Sequence, residues 1–152
     1  ANASVSAKGV LRGIHFADVP PGQAKFVTCV KGSVLDVIVD IRSGSPTFGR
    51  HAAVELDSET GHRLYVPEGY AHGFITLEDN VVVTYKVSNY YSPPHDGGVK
   101  WNDPDIGVAW PLEESEVILS VKDGSLPLLR NLKSPFVYEG DPFEQIGPPI
   151  VF

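Results

Sequence analysis

Short β-type runs, each closed by a turn signal, follow one another along most of this chain, and no stretch carries a sustained helical period. That pattern constrains the fold more than any other feature of the sequence. KFVTCV ends at Lys31-Gly32. SVLDVIVDIR alternates, with Val34, Asp36, Ile38 and Asp40 on one face and Leu35, Val37, Val39 and Ile41 on the other. HAAVEL and HRLYV read as a hairpin around DSETG, PEGYAHG as a turn leading into FITL, and EDN as a turn before VVVTYKVS. SPPHDGG reads as a loop, NDPDIGVAWP as irregular, and SEVILSVKDG as one more strand, with weak helical hints only after Leu126. The 15 glycines and 13 prolines fall between the runs rather than in one block, which marks turns and not disorder. Many short strands at regular spacing predict an all-β sandwich or barrel. A chain of 152 residues without internal repeat or linker predicts one domain over residues 1–152 with a sizeable core. The apolar, proline-rich tail over 135–152 is expected to lie extended against the body or a partner.

Charge and composition exclude some functions. A net charge of −7 argues against nucleic acid as a partner, although a few local cations suffice for an anionic small ligand. No apolar run is long enough to span a bilayer, so no membrane partner is expected. The one cysteine, Cys29, has no internal disulfide partner, which predicts a reducing, cytoplasmic setting. It lies mid-strand without a basic sequence neighbour and reads as core. The chain contains no methionine and opens on ANASVSAKG, which reads as the interior of a longer protein.

GVLRGIHF sets a cation, Arg12, and an imidazole, His15, in an apolar strand-like run. A lone histidine on a strand is most often a satisfied core or surface residue. Three neighbours argue for chemistry here. Arg12 lies on the opposite face of a regular strand but close by if the strand bulges. Lys25 follows the PPGQA turn, and a hairpin would return it beside His15. Asp123 closes the last expected strand, and a carboxylate beside an imidazole fixes its tautomer and raises its basicity. A base with a lysine to neutralise an oxyanion suits proton abstraction next to a carbonyl. Tyr85 within a strand and Tyr90 and Tyr91 at its end serve equally as packing, proton donors or stacking platforms. His51, His62 and His95 read as surface residues, and Asp40 with Arg42 as a local structural pair. Asp36 reads as a polar residue lining a cavity.

The stretches NASVSAKGVLRGIHF, PPGQAKFV, GSVLDVIVDIRSGSPTFGR, PEGYAHGF, TYKVSNYYSP and WNDPDIGVAWP…ILSVKD together resemble the dTDP-4-dehydrorhamnose 3,5-epimerases, the RmlC-type cupins. The resemblance runs from Asn2 to about Leu129. It implies a cupin-type jelly-roll β-barrel with short helical or irregular segments near its C-terminus. It also implies a homodimer without metal or other cofactor, and a dTDP-linked 4-keto-6-deoxyhexose as substrate. By the resemblance His15 is the base, Asp123 orients it, Lys25 stabilises the enolate oxygen and Tyr85 is the acid on the other face. Arg12 holds the diphosphate with Asn2 and Ser4, His72 lies near the sugar or phosphates, and Tyr91 near the nucleotide base and its sugar. Asp36 matches a polar residue of the family's pocket. Metal-binding cupins need a further histidine and a glutamate that GIHFADVPPG does not supply. Full-length family members carry further N-terminal β structure before the equivalent of Asn2, reaching the neighbouring subunit's nucleotide site, and this sequence does not include it. The competing readings are a C3-only epimerase, a catalytically silent sugar-nucleotide binding module and a metal-dependent cupin.

Overall fold

Alternating apolar runs become strands only where their edges find hydrogen-bond partners and at least one face is covered. Both conditions are met here by two antiparallel sheets. The computed structural model describes residues 1–140. Its strands are β1 (Asn2–Ser6), β2 (Leu11–Ala17), β3 (Lys25–Lys31), β4 (Ser33–Asp40), β5 (His51–Asp57), β6 (Arg63–Val66), β7 (Tyr70–Thr76), β8 (Val81–Val87) and β9 (Asp96–Gly98). One sheet has the order β1-β8-β3-β6 and the other β5-β4-β7-β2-β9. The chain crosses repeatedly from one to the other, which gives the jelly-roll β-barrel of the cupin type.

The alternation of β4 is realised on both sides. Val34 faces Val27, Cys29, Val66, Phe74, Val81 and Val83 in the core between the sheets, with Ile38 against it. Val37, Val39 and Ile41 point the other way and pack with Ile14, Phe16, Ala71, Val99, Ile106 and Leu129. That second layer is supplied by the irregular C-terminal third, which covers the outer face of the larger sheet. A third cluster of Leu11, Ile75 and Trp101 continues the layer toward Leu112, Val117 and Leu119. Each fully buried valine or isoleucine contributes roughly 1.5–3 kcal/mol, so this covering layer is a large part of the stability.

Three expectations are corrected by the topology. HAAVEL and HRLYV do not form a hairpin: β5 edges the larger sheet and β6 edges the smaller one. The DSETG turn is closed locally instead, by Asp57 accepting from the backbone of Glu59 and Thr60. β2 and β3 likewise lie in opposite sheets, so Lys25 faces His15 across the barrel rather than beside it. SEVILSVKDG is not a strand. Only Ile118 bridges to Val10, and the chain then makes a one-turn helix, α1 (Val121–Gly124). Ser120 caps it, its Oγ accepting from the Asp123 N–H at 3.1 Å. Val117 and Leu119 are spent on packing over Trp101 rather than on a ladder.

β9, inside the stretch read as a loop, pairs with β2 through glycines. A Cβ on Gly98 would lie 2.4 Å from the Ile14 carbonyl oxygen, and one on Gly97 would lie 2.6 Å from the Phe16 ring. Only residues without a side chain allow this close approach. Asp40 and Arg42 form the expected pair, at 2.8 Å, with Ser45 and Thr47 also donating to Asp40. The tail is extended as far as it is described: Val137 bridges to Ser43, and Phe136 packs edge-on against Phe16 at 5.8 Å. The expectation for the tail beyond Gly140 lies outside the described residues.

Candidate active site

Between the sheets, at the end where β1, β2 and β3 begin, the barrel opens into a cavity of about 1020 Å³. Arg12 and His15 both line it. In a regular strand they would face opposite ways, but the register of β2 against β7 shifts between them. Gly13 carries the irregularity, with φ +125° and no room for a Cβ, which would stand 2.7 Å from the Gly73 Cα.

His15 is a quarter exposed, at 26%, while Asp123 is 6% exposed. Their Nε2 and Oδ1 atoms are 2.6 Å apart. The other carboxylate oxygen accepts from the Gly13 N–H at 3.1 Å. Burial pushes the Asp123 carboxyl up, but the hydrogen bond and charge of His15, the Gly13 N–H and Lys122 together hold it below the usual carboxylate range. Asp123 is therefore an acceptor pinned at both oxygens, and it orients the imidazole that it faces.

Lys25 enters the cavity from the smaller sheet, as does Tyr85 from β8. Desolvation lowers the Lys25 pKa, and the charges of Asp96 and then Asp36 oppose that fall. Asn2 and Ser4 of β1 reach the wall beside Arg12, whose guanidinium donates to Ser6 Oγ at 3.1 Å. Ser4 Oγ is buried without a hydrogen-bond partner among the described residues. Tyr91 lies at the mouth, 71% exposed, and Tyr90 stands beside it.

His72 also lines the cavity, while Asp36 does not: it is wholly buried behind the wall. His72 Nε2 lies 2.7 Å from Asp36 Oδ1, an ion-pair contact without hydrogen-bond geometry, and neither atom nor Asp36 Oδ2 has a hydrogen-bond partner among the described residues. The structure thus brings nine of the ten sequence-derived residues to one cavity and sets Asp36 behind it. Sequence reasoning missed Gln23, Asn89, Asp96 and Lys122, which also line the wall. Lys122 is ion-paired to Asp96 and so ties α1 to β9. Its place next to Asp123 in VKDG was the available signal. Among the described residues no three histidine, cysteine, aspartate or glutamate side chains converge as a metal site. Cys29 is buried in the core between the sheets, and burial raises its thiol pKa.

A jelly-roll cavity of the cupin type thus holds an oriented imidazole, a desolvated lysine and a phenol, with an arginine at one side, a set of groups suited to acid–base chemistry. The comparisons narrow this class. The family model described as dTDP-4-dehydrorhamnose 3,5-epimerase matches residues 1–131, and the chain belongs to that family. The dTDP-4-dehydrorhamnose 3,5-epimerase of Mycobacterium tuberculosis is 49% identical over 134 residues, covering 88% of this chain and 66% of that protein. The dTDP-4-dehydro-6-deoxyglucose 3-epimerase of Streptomyces bikiniensis is 44% identical over 128 residues, covering 84% of this chain and 65% of that protein. The solved dTDP-6-deoxy-D-glucose-3,5-epimerase of Legionella pneumophila, in complex with dTDP-4-keto-L-rhamnose, superposes with a TM-score of 0.87 at 40% identity, covering 91% of this chain and 74% of that one. The chain therefore spans about two thirds of the length of the curated relatives it matches, 66% for the mycobacterial protein.

Proposed function

We propose that this chain epimerises a dTDP-linked 4-keto-6-deoxyhexose at C3 and C5. The observation that carries the reading is the His15–Asp123 pair facing Lys25 across the cavity from the opposite sheet. The ketone at C4 acidifies the hydrogens at C3 and C5. His15 takes one proton, with Asp123 holding the imidazole in the tautomer that leaves the other nitrogen basic. The electrons move onto the C4 oxygen, and the Lys25 ammonium stabilises that enolate in a site where charge interactions are little screened. Tyr85 returns a proton to the opposite face. Arg12, with Asn2 and Ser4, receives the diphosphate, and the charge-assisted hydrogen bonds of the guanidinium supply the anchoring. Tyr91 stacks on the nucleotide base.

The partner is a second copy of this chain. The outer face of the smaller sheet carries exposed Val5, Phe26, Val30 and Tyr65, a broad apolar strip of the kind a second copy covers. A buried, unpaired Cys29 agrees with a reducing cytoplasm.

The test is solvent exchange. The chain is incubated with dTDP-4-keto-6-deoxyglucose in D₂O and C3 and C5 are followed by NMR. Deuterium at both carbons is the expected result, and deuterium at C3 alone identifies a mono-epimerase. No exchange, with dTDP binding retained, sinks the catalytic reading and leaves a binding module.

A further inference from the structure

Tyr90 and Tyr91 stand at the cavity mouth, 95% and 71% exposed, so neither ring is fixed by burial. Their place is set by the backbone on either side, and one segment holds both sides. Upstream, Gln23 and Asn89 clasp each other's loops. The Asn89 side-chain amide donates to the Gly22 carbonyl at 2.6 Å, and the Gln23 side-chain amide donates to the Asn89 carbonyl at 2.9 Å. Beside them the Ala24 N–H donates to Ser88 Oγ at 2.9 Å, and the Ser88 N–H donates to the Ala24 carbonyl at 3.1 Å. Downstream, the His95 N–H donates to the Ser92 carbonyl, and the His95 carbonyl accepts from the Asp18 N–H, both at 2.9 Å. The turn over residues 18–24 thus grips both ends of the tyrosine arch. That turn is itself seated on the body of the protein: a Cβ on Gly22 would lie 2.9 Å from the Glu68 Cβ and from the Phe136 ring. Gln23 and Asn89 line the same cavity, yet each commits an amide N–H to the other's loop. A reciprocal amide pair fixes the distance between two loops, which a merely solvated polar rim does not do.

We propose that Gln23 and Asn89 are positioning residues for nucleotide binding: their reciprocal amide bonds hold the entry to the tyrosine arch so that the Tyr91 ring is pre-set to stack on the base. They act through Tyr91 and not by contact with the ligand. The inference rests on the reading of Tyr91 as the stacking platform. An exposed ring on a free loop must be ordered when the base arrives, and that ordering subtracts from affinity. Asn89 stands two positions before Tyr91, so fixing its side chain and its carbonyl removes most of that freedom in advance.

The experiment is a double-mutant cycle read by calorimetry of dTDP binding. Asn89→Leu and Gln23→Met keep the approximate size, remove the amide donor and add no charge that could repel an anionic ligand. Each is expected to raise the Kd for dTDP about five- to tenfold. Tyr91→Ala is expected to raise it about tenfold or more. In the Tyr91→Ala background, Asn89→Leu is expected to change Kd by less than about twofold. Unchanged affinity in folded Asn89→Leu and Gln23→Met overturns the inference. An equal loss in both backgrounds also overturns it, because the side chains then touch the ligand or merely stiffen the fold. Failure of both variants to fold makes the clasp structural and overturns it too. In the exchange assay Asn89→Leu is expected to raise KM with kcat near the wild-type value. A fall confined to kcat overturns the inference, since the effect then runs through Lys25, two residues beyond Gln23. Tyr91→Ala binding dTDP like the wild type sinks the stacking reading and the inference with it, and a wild-type chain that does not take up dTDP does the same. A wild type that passes the cycle without exchanging deuterium keeps the inference and sinks the epimerase reading, so the two failures are distinguishable.

Discussion

His15 and His72 lie directly opposite one another on the adjacent strands β2 and β7, and each Nε2 meets a different buried carboxylate: Asp123 at 2.6 Å and Asp36 at 2.7 Å. The two pairs are not equivalent. Asp123 is pinned at both oxygens, by His15 and by the Gly13 N–H, whereas neither Asp36 oxygen has a hydrogen-bond partner among the described residues. His15 is 26% exposed and His72 only 7%. The imidazole that is both oriented and open to the cavity is His15, which is why the base is assigned to it.

Replacing His15 by asparagine keeps a polar side chain of similar reach but removes the proposed base. Exchange at C3 and C5 in D₂O is expected to fall by about 10²–10⁴-fold at both carbons. Wild-type exchange rates in this variant would falsify the assignment.

Lys25→Ala removes the cation facing His15. On the proposed mechanism enolate stabilisation is then lost in a poorly screened site, and kcat is expected to drop by on the order of 10²-fold or more. Steady-state kinetics should show this mainly in kcat, because Arg12, the proposed diphosphate anchor, is untouched. A change confined to KM would make Lys25 a binding residue instead.

Acid stability should depend on Asp40. Its carboxyl is 2% exposed and, although burial alone would raise it, hydrogen bonds from Arg42, Ser45 and Thr47 hold it down at about 2, against an ordinary 3.8. A depressed folded pKa contributes stability that is fully present above the unfolded value and is lost as pH falls through the folded one. The contribution is roughly 2 kcal/mol at neutral pH, disappearing between about pH 4 and pH 2. Urea midpoints across that window should fall steeply for the wild type and less steeply for Asp40→Asn, which starts lower. Parallel curves would remove Asp40 from the account.

Gly98→Ala tests the close approach of β9 to β2. The added methyl meets the Ile14 carbonyl oxygen at 2.4 Å, a backbone atom that cannot step aside. Overpacking of this kind costs about 1–3 kcal/mol. A lower Tm is expected, together with slower exchange, because β9 carries Asp96 and borders His15. An unchanged Tm would show that β9 shifts freely.

Much of this was legible before any coordinates. The faces of β4 follow from the strict alternation of SVLDVIVDIR, and Asp40 and Arg42 are close enough in sequence to pair whatever the fold. Nine residues that line the cavity were legible through the resemblance carried by their long motifs. What misled was local continuity. HAAVEL and HRLYV are adjacent, and adjacency usually means a hairpin, but the barrel sends them to opposite sheets. Val117, Ile118 and Leu119 have strand chemistry, yet an apolar surface around Trp101 claims two of them. Asp36 shares its side of β4 with interior residues, so period two predicts its face but not its depth: the side chain of His72 stands between it and the cavity.

The sequence by itself determined that the chain is all-β and which residues turn inward, because the two-residue period of a strand is a local property of covalent geometry. It also supplied the imidazole, carboxylate, lysine and phenol that the proposed chemistry uses. Only the tertiary structure decided which of them meet. His15 and Asp123 are 108 positions apart and come together because α1 is tied to the barrel next to β2. Arg12 and His15 share a cavity because Gly13 lets β2 slip its register against β7. These are long-range packing outcomes, and a pattern read along the chain carries no information about which distant surfaces close on one another.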